Sequence, residues 1–66
     1  MRIVINGEDR EVPDNFNLEE LVTSLNFPHD RLAIELNGSV IRRGEWQTSK
    51  LVPGDRIEIV HFVGGG

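Results

Sequence analysis

The chain closes on Val63-Gly64-Gly65-Gly66, directly after an apolar run. Three consecutive glycines have no side chain to pack, and ordering them carries the largest backbone entropy cost of any residue type. The reactive group such a segment offers is the carboxylate of Gly66. A glycine arm is also the thinnest peptide able to enter a narrow channel, and three extended residues span at most about 10 Å. That reach would place the Gly66 carboxylate in another protein's active site while the globular body stays outside. A carboxylate presented for chemistry is the functional reading. A mobile end, or the remnant of a linker, is the bland one, and the tail alone leaves both open.

Other residue types that do chemistry are sparse or badly spaced. There is no cysteine, hence no disulfide, thiol nucleophile or cysteinyl metal site. His29 and His61 are far apart and lack ligand spacing, so no metal site is expected. No Ser–His–Asp or paired-carboxylate arrangement follows from the spacing, and no catalytic residue is assigned. No bound cofactor is expected either. Trp46 suits a lid over a small core, with a partner contact as the alternative. The run Glu8-Asp9-Arg10-Glu11 reads as a solvated strand edge whose charges deter strand addition. Arg42 and Arg43 read as a solvated turn that could meet an acidic surface.

Sixty-six residues make one domain. A chain of this size buries only about 60% of the surface its unfolded form exposes, which leaves little room for an enclosed active site. The net charge of −4 argues against nucleic acid as a partner and favours, weakly, a partner with a basic surface. No apolar run approaches the ~20 residues that span a bilayer, and no secretory leader pattern is present, so no membrane association is expected and the cytoplasm is the default location. The free chain is expected to be a monomer.

The elements that must carry the tail are legible from local signals. Met1 to Ile5 reads as a strand with Ile3 and Ile5 on one face. Asn6-Gly7 is a strong two-residue hairpin signal, and Glu8 to Val12 is the returning strand, ended by Pro13. Asn17 and Glu20 form a capping-box pair, with Phe16 and Leu21 placed as a hydrophobic staple. Leu18, Leu21, Val22 and Leu25 then give an apolar stripe at helical spacing, so a helix is predicted over Leu18 to Asn26. Leu32 to Leu36 alternates as a half-buried strand. Asn37-Gly38 is a second hairpin turn, followed by a short Ser39-Val40-Ile41 strand. One helical turn is expected around Trp46, Pro53-Gly54-Asp55 is a tight turn, and Arg56 to Val63 is the last strand.

A hairpin, a helix laid across the sheet and further strands give a small α+β roll. The final strand pairs most simply with the first, in parallel, at the sheet centre. This is the β-grasp, ubiquitin-like arrangement: a mixed sheet of four to five strands with one main helix. The expected division is a domain at 1–63 and a flexible glycine tail at 64–66. If Ile57 and Ile59 face the helix, Val60 and Phe62 lie on the other, uncovered face. There they would form an apolar docking patch beside the tail.

Against that frame several segments carry a recognisable pattern: the Asn6-Gly7 hairpin, Leu18-Glu19-Glu20-Leu21, and Ala33-Ile34-Glu35-Leu36-Asn37-Gly38. Val40-Ile41-Arg42-Arg43 with Trp46, Pro53-Gly54-Asp55-Arg56-Ile57-Glu58-Ile59 and the glycine end complete it. Over essentially its whole length the chain resembles the ThiS family, the ubiquitin-like sulfur carriers of thiamin thiazole synthesis. Gly65 and Gly66 carry the Gly-Gly core of that pattern, and Gly64 is an addition to it.

The resemblance implies a protein co-substrate, not an enzyme. A ThiF-like adenylyltransferase, using ATP with Mg, would adenylate the Gly66 carboxylate. A cysteine desulfurase or another sulfur donor would supply persulfide sulfur to make a thiocarboxylate. A ThiG-like thiazole synthase would take that sulfur. Three alternatives stay open on the residues alone: a MoaD-like carrier for molybdopterin synthesis, a ubiquitin-like modifier joined to lysines through Gly66, and an inert β-grasp interaction domain whose glycines are incidental.

Overall fold

Two Asn-Gly pairs fold the chain into its hairpins. Asn6 and Gly7 both adopt positive φ (49° and 81°), as do Asn37 and Gly38 (51° and 87°). These are the backbone angles of the tight turn whose twist matches the flanking strands, and asparagine and glycine tolerate them best. The computed structural model describes residues 1–62. The division expected between 1–63 and 64–66, and the mobility expected of Gly64 to Gly66, lie outside the described residues.

Five strands form one mixed sheet: β1 (Arg2–Ile5), β2 (Glu8–Glu11), β3 (Leu32–Leu36), β4 (Ser39–Ile41) and β5 (Arg56–His61), in the order β2-β1-β5-β3-β4. β5 is last in sequence but central in space. It pairs in parallel with β1, Val4 opposite Arg56 and Ile5 opposite Ile57. It pairs antiparallel with β3 from Ile57 opposite Leu36 to His61 opposite Leu32. The predicted β-grasp topology is therefore the one observed. β2 is an edge strand with every residue exposed, in keeping with its run of charge.

The helix α1 (Leu18–Ser24) crosses one face of the sheet. Its start follows the sequence signal: Asn17 Oδ1 accepts from the Glu20 N–H at 2.7 Å, and Glu20 Oε1 accepts from the Asn17 N–H at 3.0 Å. Its end comes two residues earlier than predicted. Leu25 is the cap, and Asn26 leaves the helix with φ 60°. Asparagine enters that left-handed conformation readily, which satisfies the last helical carbonyls and turns the chain before Pro28. The Asn26 N–H donates to the Thr23 carbonyl at 3.1 Å.

The core lies between α1 and the sheet. Leu18, Leu21 and Val22 of the helix are fully buried against Ile3, Ile34 and Ile57. Burial of each such side chain stabilises the fold by about 1.5–3 kcal/mol. Trp46 closes the core from a 3₁₀ turn, α2 (Arg43–Thr48). It is 1% exposed, and its Nε1–H donates to the Ile41 carbonyl at 3.1 Å. Trp46 is thus the lid that the bland reading expected, and its burial removes it as a partner contact.

Candidate functional site

The residues that lead to the glycines are set by how β5 is held. At its start, Asp55 is buried, and its carboxylate accepts from the Asn37 side-chain amide at 3.0 Å and from the Val52 N–H at 2.8 Å. The Asn37 Oδ1 in turn accepts from the Arg56 N–H at 2.9 Å. Further along, β1 ends, and the Asn6 side chain takes over its place beside β5. Its Nδ2 donates to the Ile59 carbonyl at 3.2 Å, and its Oδ1 accepts from the Ile59 N–H at 2.8 Å. Both hairpin asparagines therefore clamp the central strand, one at its start and one towards its end.

On the other side the pairing with β3 runs to the limit of the described chain. The Phe62 N–H donates to the Arg31 carbonyl at 2.8 Å. The point from which Val63 to Gly66 depart is consequently fixed by the sheet, and four residues reach at most about 14 Å from it. Gly64, Gly65 and Gly66, the residues on which the sequence reading rests, lie outside the described residues.

Alternation along β5 divides its side chains as expected. Ile57 and Ile59 are 0% and 7% exposed on the core face, whereas Val60 and Phe62 are 53% and 54% exposed. The patch proposed from sequence is present as exposed apolar surface next to the tail. Val40, 69% exposed on β4, adds to the same open face and was not singled out from sequence. No local pattern marks it: Val40 points away from the core because Ile41 lies opposite the buried Ile34, a register that the fold supplies.

The remaining candidates fall elsewhere. His29 Nδ1 lies 3.1 Å from Glu19 Oε2, and its Nε2 lies 3.2 Å from Thr23 Oγ1, against the outer side of α1. His61 is exposed at the end of β5, and among the described residues no group of three or more His, Cys, Asp or Glu side chains could hold a metal ion. Arg42 and Arg43 are exposed. A concavity of about 220 Å³, lined by Arg2, Asp9, Arg10 and Glu11, opens at the β1–β2 edge. By register it sits at the end of the sheet away from the tail. Among the described residues no helix is long and apolar enough to cross a membrane.

Comparison with known proteins gives a consistent picture. A family model for the ThiS family matches residues 3–66. The sulfur carrier protein ThiS of Bacillus subtilis is 33% identical over 63 residues, covering 94% of this chain and 96% of that protein. A thiazole synthase of Magnetococcus marinus is 39% identical over 66 residues, covering all of this chain but 20% of that protein. The chain thus spans about a fifth of the length of the thiazole synthases it matches. The crystal structure of the thiamine biosynthesis protein ThiS from Geobacter metallireducens superimposes with a TM-score of 0.85 at 30% identity, covering the whole of both chains.

Proposed function

The chain belongs to the ThiS family, and from that membership we infer that it is a sulfur carrier of thiamin thiazole synthesis whose working group is the Gly66 carboxylate. A small carrier is acted upon and does not catalyse. An adenylyltransferase of the ThiF kind directs a carboxylate oxygen of Gly66 at the α-phosphorus of ATP, with Mg on the phosphates, and pyrophosphate leaves. The carboxylate alone is a poor electrophile; the acyl-adenylate carries AMP as leaving group. A persulfide sulfur from a cysteine desulfurase or another donor attacks the acyl carbon and displaces AMP. Cleavage of the donor's S–S bond by a second thiol leaves the thiocarboxylate, which a thiazole synthase consumes. The cytoplasm, with its supply of ATP, is the compartment this reading calls for.

What supports this reading in the fold is the central position of β5 and its pairing up to Phe62. The segment Val63 to Gly66 follows from a fixed point, beside an apolar face where a partner can rest. The absence of cysteine fits as well, since no thiol of the chain competes for the transferred sulfur.

The test is incubation with ATP and the adenylyltransferase, followed by pyrophosphate exchange and intact mass. Sulfur loading raises the mass by the difference between sulfur and oxygen, whereas joining to a lysine adds a whole protein. Deleting Gly66 shortens the arm by about 3.5 Å, more than the ~1 Å misplacement that already costs about 100-fold in a positioned reaction. That deletion, and extension by one residue, should each abolish loading while the melting curve stays that of the parent. Gly65→Val keeps the carboxylate but stiffens and widens the arm, so binding survives in part and chemistry fails. Normal loading after deletion or extension refutes the assignment.

A further inference from the structure

Two of the chain's five asparagines, Asn6 and Asn37, precede glycine. An asparagine before glycine is the most open to loss of its side-chain amide, because no Cβ hinders attack by the next backbone nitrogen. Asn15, Asn17 and Asn26 precede Phe16, Leu18 and Phe27, whose side chains obstruct that attack. The amides of Asn6 and Asn37 are each held by two hydrogen bonds, so each reacts only when its clamp opens. Asn6 holds both backbone groups of Ile59, a buried residue of the central strand. Asn37 closes the hairpin of β3 with β4, a three-residue edge strand whose Ser39 and Val40 are exposed. Its bond to the Arg56 N–H is itself exposed. An added Cβ at Gly38 would meet nothing within 4 Å, so this turn stands in solvent. Edge hairpins open at lower free energy than central strands.

We propose that Asn37 is a site of spontaneous covalent modification, its side-chain amide lost through a cyclic imide with Gly38, and that the product unlocks the start of β5. The Gly38 backbone nitrogen gives up its proton to solvent and attacks Asn37 Cγ. A new N–C bond forms, the Cγ–Nδ2 bond breaks, and the amide nitrogen takes up a proton and leaves as ammonia. Water then opens the imide at either of its two carbonyls. One opening gives aspartate; the other gives isoaspartate, in which the backbone runs through the side-chain carbon. The net exchange is water for ammonia, with no oxidant, reductant or enzyme.

The surroundings of residue 37 make this change matter. The Asn37 Nδ2 donates to Asp55 Oδ1 at 3.0 Å, and Asp55 is buried. An aspartate product has no proton to donate and sets a second carboxylate against the first. Among the described residues Asp55 forms no ion pair, so no cation offsets the added charge. A buried charge left without compensation is strongly destabilising. The isoaspartate product instead lengthens the backbone by one carbon, in a turn that needs φ of 51° and 87° at its two residues. Asp55 also holds the Val52 N–H, and Asn37 holds the Arg56 N–H. Repulsion between the two side chains therefore reaches the first residue of β5, the strand that leads to the tail. The opened clamp cannot reclose, because closing it requires the amide that has gone.

The test keeps the full chain folded at mildly alkaline pH and moderate warmth, with peptide mapping by mass over several days. Residue 37 should gain the mass difference between OH and NH2, as aspartate and isoaspartate, well ahead of residue 6. In urea the two sites should react at similar rates, because both clamps are then open. Asn37→Asp, which installs one product directly, should melt about 10 °C below the parent. Combining Asn37→Asp with Asp55→Asn puts a donor back between the two side chains and keeps acceptors for the Val52 and Arg56 N–H groups. That double variant should recover most of the loss. Modification only in the unfolded chain, or at residue 6 first, overturns the assignment of the site. Asn37→Asp melting with the parent overturns the consequence for β5, as does a double variant that melts no higher than the single. If Asn37→Asp does not fold, a cooperative transition in the double variant supports the charge argument, and its absence overturns it.

Discussion

Replacing Asn6 by glycine separates two contributions of one side chain. The turn needs positive φ at this position, which glycine supplies, whereas the bonds to the Ile59 N–H and carbonyl need the amide. Asn6→Gly should therefore keep the hairpin yet lower stability by about 1–3 kcal/mol, the range for stranding a buried polar group. Urea denaturation would measure the loss, and faster hydrogen exchange at the Ile59 amide would locate it. Asn6→Ala should cost more, because alanine resists the left-handed conformation as well. Asp55→Ala should have a comparable effect at the other end of β5, where the Val52 N–H and the Asn37 amide lose their acceptor. The turn role of both asparagines could be read from two adjacent letters. The clamp by Asn6 could not, because it joins residues 53 positions apart and leaves no local pattern.

The elements contrast a buried aromatic with an exposed one. Trp46 fills the space between the 3₁₀ turn, α1 and the sheet. Trp46→Ala should cost about 3–5 kcal/mol through the cavity it leaves, a large part of the 5–15 kcal/mol available to a typical domain. The variant should lose its cooperative thermal transition or melt far below the parent. Phe62→Ala removes a side chain that is 54% exposed. Its melting should stay near the parent's, within the about 0.5 kcal/mol typical of surface changes, while binding to the adenylating enzyme weakens by more than about 1 kcal/mol. Unfolding of this variant would show Phe62 to be part of the core. The helix start was written in Asn17 and Glu20, because a capping box is local chemistry. The helix end was not, because Asn26 suits both a cap and a left-handed turn, and packing of Leu25 against the core decides between them.

For the whole molecule, the sheet is completed by its last strand. β5 inserts between β1 and β3, so the centre of the sheet forms only when residues 52 and 53 positions apart meet at Val4–Arg56 and Asn6–Ile59. Amides of β1, β3 and β5 should exchange slowest, and those of β2 and β4, at the two edges, fastest. A flat protection profile would contradict one cooperative sheet. The parallel pairing was legible from element order alone, since a hairpin–helix–hairpin chain has only one simple place for a final buried strand. The place of Val40 was not, because exposure on the second face depends on cross-strand register that only the folded chain fixes.

The anchoring of Phe62 to Arg31 has a kinetic meaning. Once the body is docked, the end of the arm is confined to a hemisphere of about 14 Å radius, equivalent to a local concentration on the order of 0.1 M. On the sulfur-carrier reading proposed above, attack on ATP should then become effectively unimolecular. Free triglycine carries the same terminal atoms but must be supplied at that concentration to compete. At millimolar levels it should leave adenylation of the carrier untouched. On that reading, choice of the Gly66 carboxylate over other carboxylates is a property of tethering, set by where β5 is held.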